Sequence, residues 1–383
     1  MNARVFPWGE PEAAPLRTLR SDVRTYLKEQ IQRGRFRPSV DGWSTGWDED
    51  FSKDLASRGW VGMTIPTEFG GHGKSFAERF VVTEELLASG APVAAHWVAD
   101  RQMAPSLLRY GSDGQKRRFL PEIARGESHF AIGMSEPDSG SDLASVRTKA
   151  TQTKSGWKVS GSKVWTSGAH KSTWVCVLAR TAPVDPHDRH AGLSQFIVNL
   201  ASAGVEIRPI ISMSGHHHFN EVFFDDVVVP DELVLGQIGE GWRQVTSELG
   251  FERSGPERYL STYLILAEVI RQVRAGALPH TTAVGQWIAR LAGLRKMAFS
   301  VATAIDRGES VNSAAAIVKS LGTKTEGEIV EFADRFHDQA GQELAVLRQY
   351  VETGLLQRPS FTLRGGTNEI LRGVIAREIG LRG

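Results

Sequence analysis

The chain has a single cysteine, Cys176, among its 383 residues. One cysteine excludes an intrachain disulfide and any cysteine-rich metal site. Lysine and arginine number 45 and aspartate and glutamate 44, which gives a net charge of +1 and no electrostatic footprint for nucleic acid or an anionic membrane. No apolar run approaches the roughly 18 residues that span a bilayer. Because no secretory signal is visible between Met1 and Pro15, we expect a soluble protein in the cytoplasm.

The hydrophobic pattern changes twice along the chain, and the length favours more than one domain. Up to about residue 127, apolar residues recur at three- and four-residue steps, which predicts helices. From about residue 128 to 238, short β-branched and aromatic runs alternate with turn residues, which predicts antiparallel strands in a barrel or a sandwich. Helical periodicity then returns. The sequence predicts an α+β fold with domains at about 1–127, 128–238 and 239–383.

The same pattern gives bounds for individual elements. The predicted helices are Leu16–Ile31, Phe51–Leu55, Phe76–Leu87, Gln115–Ile123, Val245–Phe251, Leu260–Ala275, Ala283–Ala304, Ser313–Phe336 and Ile370–Leu381. The predicted strands are Phe130–Met134, Trp157–Ser160, Lys163–Ser167, Trp174–Ala179, Gln195–Leu200, Val205–Ile211 and Phe219–Val229. Because neighbouring strand residues point to opposite faces, we interpret the run His216–His218 as a polar turn and not as a metal site.

Three segments carry residue types that suit ligand binding. Ser135–Asp142 has small hydroxyl residues and a glycine that let backbone amides approach an anion, and a plain polar loop is the alternative. Trp165 and Ser167 lie two residues apart on a predicted strand, so they would share a face that can cover a flat ring; a core tryptophan is the alternative. Arg364–Ile370 feeds paired glycines into a helix whose amino end suits phosphate or a polarised carbonyl, and an ordinary capped helix is the alternative.

These segments, in this order, resemble the acyl-CoA dehydrogenase family. Further matches run along nearly the whole chain: Pro66–Gly71, Arg109–Ser112, Gln115–Lys116, Leu120–Pro121, Gly126–Glu127, Phe223–Pro230 and Gly239–Trp242. Each fragment is weak by itself, but the ordered set is specific. The resemblance implies an N-terminal helical domain, a middle antiparallel β-barrel domain and a C-terminal four-helix bundle, in agreement with the three zones of the sequence.

The resemblance also implies the chemistry. Family members use FAD to convert an acyl-CoA thioester into the trans-2-enoyl-CoA, pass electrons to an electron-transferring flavoprotein, and form homo- or hetero-oligomers, as dimers or tetramers. The residues carried over for FAD are Met134, Ser135, Ser141, Trp165, Ser167, Gly341, Thr367 and Glu369. Those carried over for the substrate are Ser141, Arg253 and Gly366. Met134, Ser135, Trp165 and Ser167 would surround the flavin ring, while Thr367 and Glu369 would help to hold the adenosine half.

The catalytic base departs from the commonest pattern of the family. That pattern has a glutamate at the position that Gly365 occupies here, and glycine cannot accept a proton. A minority of the family carries the glutamate on a bundle helix instead, at a position that matches Glu252. The resemblance therefore implies Glu252 as the base and Arg253 beside the thioester. The alternative is that Glu248, Glu252 and their charged neighbours form only a solvated helix face with ion pairs.

Two further departures leave other functions open. The bundle element that meets a partner subunit's FAD corresponds to Thr281–Gly285 and lacks its cation, and the later glycine-rich element is altered to His337–Gly341. A non-catalytic subunit that lends half a cofactor site to a paralogue, or an oxidase or monooxygenase on the same fold, are the alternatives. Because Gly365 lacks a side chain, we also expect room for a branched, cyclic or otherwise bulky acyl group.

Overall fold

The structure is a computed structural model that describes residues 6–7, 11–279, 282–336 and 341–381, without the side chains of residues 248–252. It divides into two compact units. Unit 1 contains Met1–Asp48, Lys74–Ala94 and Gly250–Gly383, and unit 2 contains Glu49–Gly73 and Ala95–Leu249. Among the described residues, no helix has the length and apolar character required to cross a bilayer.

Helices dominate both ends of the chain. In chain order they are α1 Ala14–Gln32, α2 Gly42–Thr45, α3 Glu49–Ser57, α4 Phe76–Ala88, α5 Ala94–Val98, α6 Ala104–Tyr110, α7 Asp113–Ala124, α8 Gly241–Glu252, α9 Tyr263–Arg274, α10 Thr282–Asp306, α11 Asn312–Asp334, α12 Ala345–Phe361 and α13 Asn368–Glu378. A π-helical turn, Ala99–Met103, joins α5 to α6. The strands are β1 Phe130–Gly133, β2 Lys149–Thr153, β3 Gly156–Lys163, β4 Trp174–Arg180, β5 Leu193–Asn199, β6 Val205–Ile211, β7 His217–Val229 and β8 Val234–Leu235.

Local chemistry explains where several helices begin. Ser75 and Glu78 form a reciprocal capping box at the start of α4, and Ser112 and Gln115 form one at the start of α7. Each box satisfies backbone N–H groups that the first helical turn leaves without partners. The sequence prediction for these helices is confirmed to within a few residues. The prediction missed α12, whose apolar residues are interrupted by Gly354 and by Pro359 inside the helix.

Unit 1 is an assembly of packed helices. Helix α11 contacts α9, α10, α12 and α13, while α4 contacts α1 and α10. Apolar side chains such as Val269, Val318 and Val330 are fully buried between them. This burial supplies the main favourable term for folding of the unit. The helical C-terminal domain predicted from the sequence is therefore confirmed.

Unit 2 is built on an eight-stranded sheet of order β6-β7-β3-β2-β4-β5-β8, with β1 paired to β4. All seven residues of β4 are buried, as expected for a central strand. Most pairings are antiparallel as predicted, but β1 and β2 each pair with β4 in parallel. The sequence did not indicate β2, because its alternating residues are mostly polar and exposed. The domain boundaries near residues 127 and 238 stay a prediction.

Candidate active site

A turn with two consecutive glycines leads into α13 in unit 1. Gly365 and Gly366 have φ angles of +71° and +85°, a region that is inexpensive only for glycine. Thr367 then caps the helix, because its hydroxyl oxygen accepts a hydrogen bond from the N–H of Ile370 at 3.3 Å. We call Gly365–Thr367 the double-glycine turn.

Arg253 binds the first carbonyl of this turn. Its Nε donates to the carbonyl oxygen of Gly365 at 3.1 Å. Arg253 directly follows the end of α8 and is 9% exposed, while Glu257 and Arg258 nearby are 2% and 1% exposed. The alternative of a solvated helix face is therefore wrong for these three residues.

Lys319 binds the second carbonyl from α11. This lysine is 0% exposed, and its Nζ donates to the carbonyl oxygen of Gly366 at 2.7 Å. The same ammonium donates to the carbonyl oxygen of Thr362 at 2.9 Å and to Oδ1 of Asn368 at 2.8 Å. Lysine has three N–H donors, and here each has an oxygen acceptor. A buried charge thus joins the double-glycine turn to the core of unit 1.

The N–H groups of the turn remain available for a ligand. Among the described residues, no acceptor is hydrogen-bonded to the N–H of Gly365, Gly366 or Thr367. Adjacent amides without acceptors, next to a helix N-terminus, form a concavity suited to an anion or a polarised carbonyl oxygen. Because Arg253 and Lys319 fix the carbonyls of the two glycines, the donors are held in place before any ligand binds.

A side chain at position 365 has no space in this arrangement. A Cβ built on Gly365 would lie 2.9 Å from Nη2 of Arg258, in addition to the strain of the positive φ. At Gly366 the corresponding contact is 3.2 Å from Nη2 of Arg253. A side chain at position 365 would therefore require the buried guanidinium of Arg258 to shift. The expectation that Gly365 leaves room for a bulky acyl group stays a prediction.

The remaining predicted residues of unit 1 have less defined surroundings. The backbone of Glu252 ends α8, and its side chain lies outside the described part of the structure. Glu369 is exposed in the first turn of α13. The carbonyl of Gly341 accepts a hydrogen bond from Nη2 of Arg348 at 2.9 Å. Of the altered cofactor elements, Thr281 and residues 337–340 lie outside the described residues.

In unit 2, a buried ion pair joins the ends of β1 and β3. Nζ of Lys163 lies 2.8 Å from Oε1 of Glu136 and donates to the carbonyl oxygen of Met134 at 2.9 Å. Glu136 also accepts hydrogen bonds from the N–H groups of Arg147 (2.6 Å) and Thr148 (2.9 Å). The side chain of Lys163 is 0% exposed and that of Glu136 is 8% exposed.

Burial and pairing act in opposite directions on these two groups. Burial lowers the pKa of Lys163 to about 8, although the Glu136 carboxylate opposes that shift. Burial would raise the pKa of Glu136, but the Lys163 ammonium and the hydrogen-bond donors hold that pKa below its ordinary value. Both groups are therefore charged at neutral pH, and the pair fixes the backbone of Met134.

Trp165 has a conformation that the sequence did not predict. Strand β3 ends at Lys163, so the predicted strand Lys163–Ser167 is wrong beyond its first residue. Trp165 has φ +60° and its side chain is 57% exposed. Its indole contacts the ring of Phe219 edge-on, with ring centroids 5.6 Å apart. Trp165 and Ser167 therefore do not share a strand face, because the left-handed residue turns the chain between them.

Hydrogen bonds to both neighbours of Trp165 hold this conformation. The N–H of Val164 donates to the carbonyl oxygen of Ser135 at 2.9 Å. Thr166 exchanges backbone hydrogen bonds of 3.0 and 3.1 Å with Asn220, whose Nδ2 also donates to the carbonyl oxygen of Thr166 at 2.9 Å. Ser135, next to Met134, is thus brought beside the segment that carries Trp165.

The residues of unit 2 fit a flat heteroaromatic ring. The segment with the largely exposed indole of Trp165 ends at Ser167 and is bonded through Val164 to the backbone of Ser135. Both serines are half-buried, and their hydroxyls have no hydrogen-bond partner among the described residues. Ser141 is exposed in the loop after β1. An exposed indole and serine hydroxyls on neighbouring segments suit the mixed apolar and polar character of a flavin ring. No group of three or more metal-ligating residues occurs in the described part of the chain.

Several residues that organise these sites had no signal in the sequence. Lys319 lies in the predicted helix Ser313–Phe336 and has no signal of its own, and Arg258 was only one of the charged neighbours of Glu252. The pairing of Glu136 with Lys163 spans 27 residues without a motif. Hydropathy predicts that charged residues are exposed, whereas tertiary hydrogen bonds stabilise these inside. Glu136 and Lys163 lie within recognised segments, but nothing in the sequence indicated that they pair.

Sequence comparison identifies the family that these two sites belong to. The pattern of the acyl-CoA dehydrogenase N-terminal domain matches residues 15–127, that of the middle domain 131–227 and that of the C-terminal domain 280–380. The chain belongs to the acyl-CoA dehydrogenase family. The predicted family, enzyme class and arrangement of helical, β-sheet and helical domains are confirmed, and the family implies a flavin cofactor.

Individual relatives agree with this assignment. The chain is 35% identical over 385 residues to acyl-CoA dehydrogenase IpdE1 of Mycolicibacterium smegmatis, covering 94% of this chain and 96% of IpdE1. It is 33% identical over 341 residues to acyl-CoA dehydrogenase FadE34 of Mycobacterium tuberculosis, covering 85% of this chain but only 45% of FadE34. The solved structure of the Tcur3481-Tcur3483 steroid ACAD matches with a TM-score of 0.85 at 29% identity, covering 97% of this chain and 99% of that chain.

Proposed function

We propose that the protein catalyses the FAD-dependent α,β-dehydrogenation of an acyl-CoA thioester to the trans-2-enoyl-CoA and passes the electrons to an electron-transferring flavoprotein. The double-glycine turn carries this proposal. Its amide donors and the cations that fix its carbonyls suit a thioester carbonyl oxygen, on which negative charge develops when the neighbouring carbon loses a proton. The family match supplies the reaction class.

The chain's residues have three tasks in this reaction. Gly366 lines the site of the thioester, and Arg253 fixes the turn that polarises its carbonyl. Glu252, adjacent to Arg253 at the end of α8, removes the proton from the carbon next to the carbonyl. A site that excludes water raises a carboxylate pKa and strengthens the dipoles around the developing charge, which makes this step feasible for a glutamate. Bound flavin supplies the acceptor for the hydrogen and electron pair of the next carbon.

The resemblance to the family assigns residues of this chain to FAD. Met134, Ser135, Trp165 and Ser167 would contact the flavin ring, and Ser141 would lie near the pyrophosphate and the acyl chain. Thr367 and Glu369 would help to hold the adenosine half, and Gly341 is a further cofactor-binding residue. The cap of α13 uses the hydroxyl oxygen of Thr367 as an acceptor, so its O–H is still free to donate to a ligand.

The wider assignments rest on the family. We infer domains at 1–127, 128–238 and 239–383, a homo- or hetero-oligomeric assembly as a dimer or tetramer, and a cytoplasmic location. For the acyl group we propose a bulky, polycyclic one, supported by the relative named a steroid ACAD. A preference for short straight-chain thioesters would contradict that substrate class while leaving the reaction class intact.

An absorbance experiment tests the proposal directly. The purified protein should be yellow, and its flavin band should bleach anaerobically with at least one member of a panel of straight-chain, branched and steroid-derived CoA thioesters. Glu252→Gln should retain the flavin and lose bleaching by at least about a hundredfold in rate. The matched control is Glu248→Gln, one turn earlier on the same helix, which should bleach like the unmodified enzyme. Equal rates for Glu252→Gln and the unmodified enzyme would rule out Glu252 as the base.

A second function is favoured by Gly365. Because this chain has no side chain at the commonest base position of the family, it could serve as the non-catalytic subunit of a heteromeric enzyme. That reading predicts a folded but colourless protein when the chain is purified alone. Rapid reoxidation of the reduced flavin by oxygen would instead favour an oxidase or monooxygenase.

A further inference from the structure

In addition to the contacts of Arg253 and Lys319 with its carbonyls, the double-glycine turn is held by a contact of Arg364, the residue before it. Arg364, directly before Gly365, extends its guanidinium into unit 1 and makes a bidentate ion pair with Asp41, with both N–O distances 2.9 Å. The side chain of Asp41 is 0% exposed and that of Arg364 is 19% exposed. The two residues are 323 positions apart in the chain.

The surroundings of this ion pair fix its geometry. The guanidinium of Arg364 lies over the ring of Trp43 at 4.5 Å and donates to Oγ of Ser261 at 3.1 Å. Ser261 also accepts a hydrogen bond from Nε1 of Trp43 at 3.1 Å, and its carbonyl accepts one from the N–H of Asp41 at 2.9 Å. A planar fork that is paired on two atoms and stacked on a ring has a single favourable position.

The two glycines after Arg364 do not determine their own backbone conformation. Two consecutive glycines have more accessible conformations than any other residue pair, so the direction of their N–H groups depends on external contacts. Consecutive Cα atoms are about 3.8 Å apart, so a displacement of Arg364 reaches Gly365 almost undiminished. Arg253 and Lys319 hold the turn from its carbonyl side, and Arg364 holds the chain where it enters the turn.

We propose that Arg364 and Asp41 are a positioning pair for the amide donors of the double-glycine turn. Neither residue touches the substrate; the pair sets the position of the backbone that does. This inference rests on the proposed function of the turn. A displacement of about 1 Å at a reacting centre can reduce a rate by about a hundredfold, so a modest loosening of this ion pair should reduce turnover before it unfolds the protein.

Arg364→Lys is the sharpest variant, because lysine keeps the charge but cannot form the bidentate contact. The matched control is Arg20→Lys on α1. Arg20 is 15% exposed and pairs with Glu12, Glu84 and Glu85 in the same unit. We expect both variants to lower the thermal midpoint similarly. Arg364→Lys should also lower kcat by about tenfold or more with flavin content unchanged, whereas Arg20→Lys should keep kcat within about twofold. Asp41→Glu repeats the test if Arg364→Lys does not accumulate as folded protein.

Hydrogen exchange of the peptide spanning residues 362–371 gives a readout that needs neither substrate nor cofactor. Its N–H groups include those of Asn368, bonded to the carbonyl of Thr362, and of Ile370, bonded to Thr367. Faster exchange there in Arg364→Lys, and not in Arg20→Lys, would support the positioning pair. Unchanged exchange, or a kcat loss shared equally by the control, would overturn it. If none of the tested thioesters bleached the flavin of the unmodified protein, the proposed function would be refuted. The role of Arg364 would still be decided separately by the hydrogen-exchange result.

Discussion

Nε of Arg253 donates a hydrogen bond to the carbonyl oxygen of Gly365 across 112 residues of chain. This contact joins the end of the helix that carries Glu252 to the turn that lacks the family's usual glutamate. Glu252, the base predicted on α8, is therefore one residue away from the arginine that is hydrogen-bonded to Gly365, the position of the family's usual glutamate. A family that keeps its base at either position needs these two segments to be adjacent.

Gly365→Ala tests whether the turn requires glycine. We expect a loss of about 1–3 kcal/mol in the free energy of unfolding, because alanine is strained at φ +71° and its Cβ would approach the Arg258 guanidinium. Turnover should fall with it. The matched control is Gly293→Ala, in the middle of α10, where a Cβ would meet nothing within 4 Å. That variant should gain about 0.5–1 kcal/mol from helix propensity. Urea unfolding of both variants measures the difference, and equal stabilities would contradict the strain argument.

Lys319→Met should be strongly destabilising. The methionine fills a similar volume but removes the buried ammonium that donates to the carbonyl oxygens of Thr362 and Gly366 and to Oδ1 of Asn368. Thr362 keeps the N–H of Asn368 as a donor and Oδ1 of Asn368 keeps the hydroxyl of Thr323, so the main cost falls on the carbonyl oxygen of Gly366. An acceptor left unsatisfied in this way costs about 1–3 kcal/mol in the free energy of unfolding. Lys324→Met is the control on the same helix, because its side chain is 62% exposed and its partner Glu328 lies 3.6 Å away. A loss for Lys319→Met as small as that of the control would show that water replaces the ammonium.

Periodicity was sufficient for much of the fold. Helix α1 and strand β6 follow the apolar spacing closely, since each packs one face on a core and its period reports that face. The predicted strand Lys163–Ser167 was wrong for a definite reason. Trp165 and Thr166 have high strand propensity, but hydrogen bonds of the neighbouring backbone to Ser135 and Asn220 override it. Strand propensity reflects packing on a pleated surface, and those partners are distant in sequence.

The sequence likewise indicated some residues of the candidate site and not others. Glycine spacing in Arg364–Ile370 pointed to the double-glycine turn, because paired glycines before a helix have few other uses. The roles of Lys319 and Lys163 could not be predicted, since a charged residue on a helix or strand is normally exposed. Only the tertiary structure shows that both lysines are buried against oxygen acceptors from another part of the chain. The pairing of Arg364 with Asp41 had no sequence signal either, because the two residues are 323 positions apart.

Lys163→Met should lower the free energy of unfolding, because it leaves a buried carboxylate without its cation. The variant leaves Glu136 at 8% exposure without its cation, and breaking a buried ion pair from one side costs about 3–5 kcal/mol. The double variant Lys163→Met with Glu136→Gln should recover part of this loss, because the amide oxygen can still accept the N–H bonds of Arg147 and Thr148. Urea unfolding measures both, with Lys158→Met as the exposed control. If the double variant were no more stable than Lys163→Met, charge burial would not be the cause.

Glu326 should make stability depend on pH between about 4.5 and 7. This glutamate on α11 is 0% exposed, and among the described residues its Oε2 has no hydrogen-bond partner. Burial raises the pKa of Glu326 from 4.5 to about 7, although Arg364 opposes the shift. In that interval the unfolded chain has lost the proton that the folded protein still binds, so stability falls as pH rises, and above pH 7 the loss is constant.

The raised pKa of Glu326 also sets the size of the stability change and the way to test it. A difference of about 2.5 pKa units corresponds to about 3 kcal/mol. Glu326→Gln removes the titration but keeps an oxygen that can accept the 2.8 Å hydrogen bond from the N–H of Ser261. Relative to the unmodified protein, this variant should therefore gain stability progressively from pH 5 to about pH 7 and keep that gain at pH 8. Glu328→Gln, two residues along the same helix and 28% exposed in its side chain, should follow the unmodified protein. Parallel stability curves for Glu326→Gln and the unmodified protein across that range would mean that Glu326 ionises in the folded protein as it does in water.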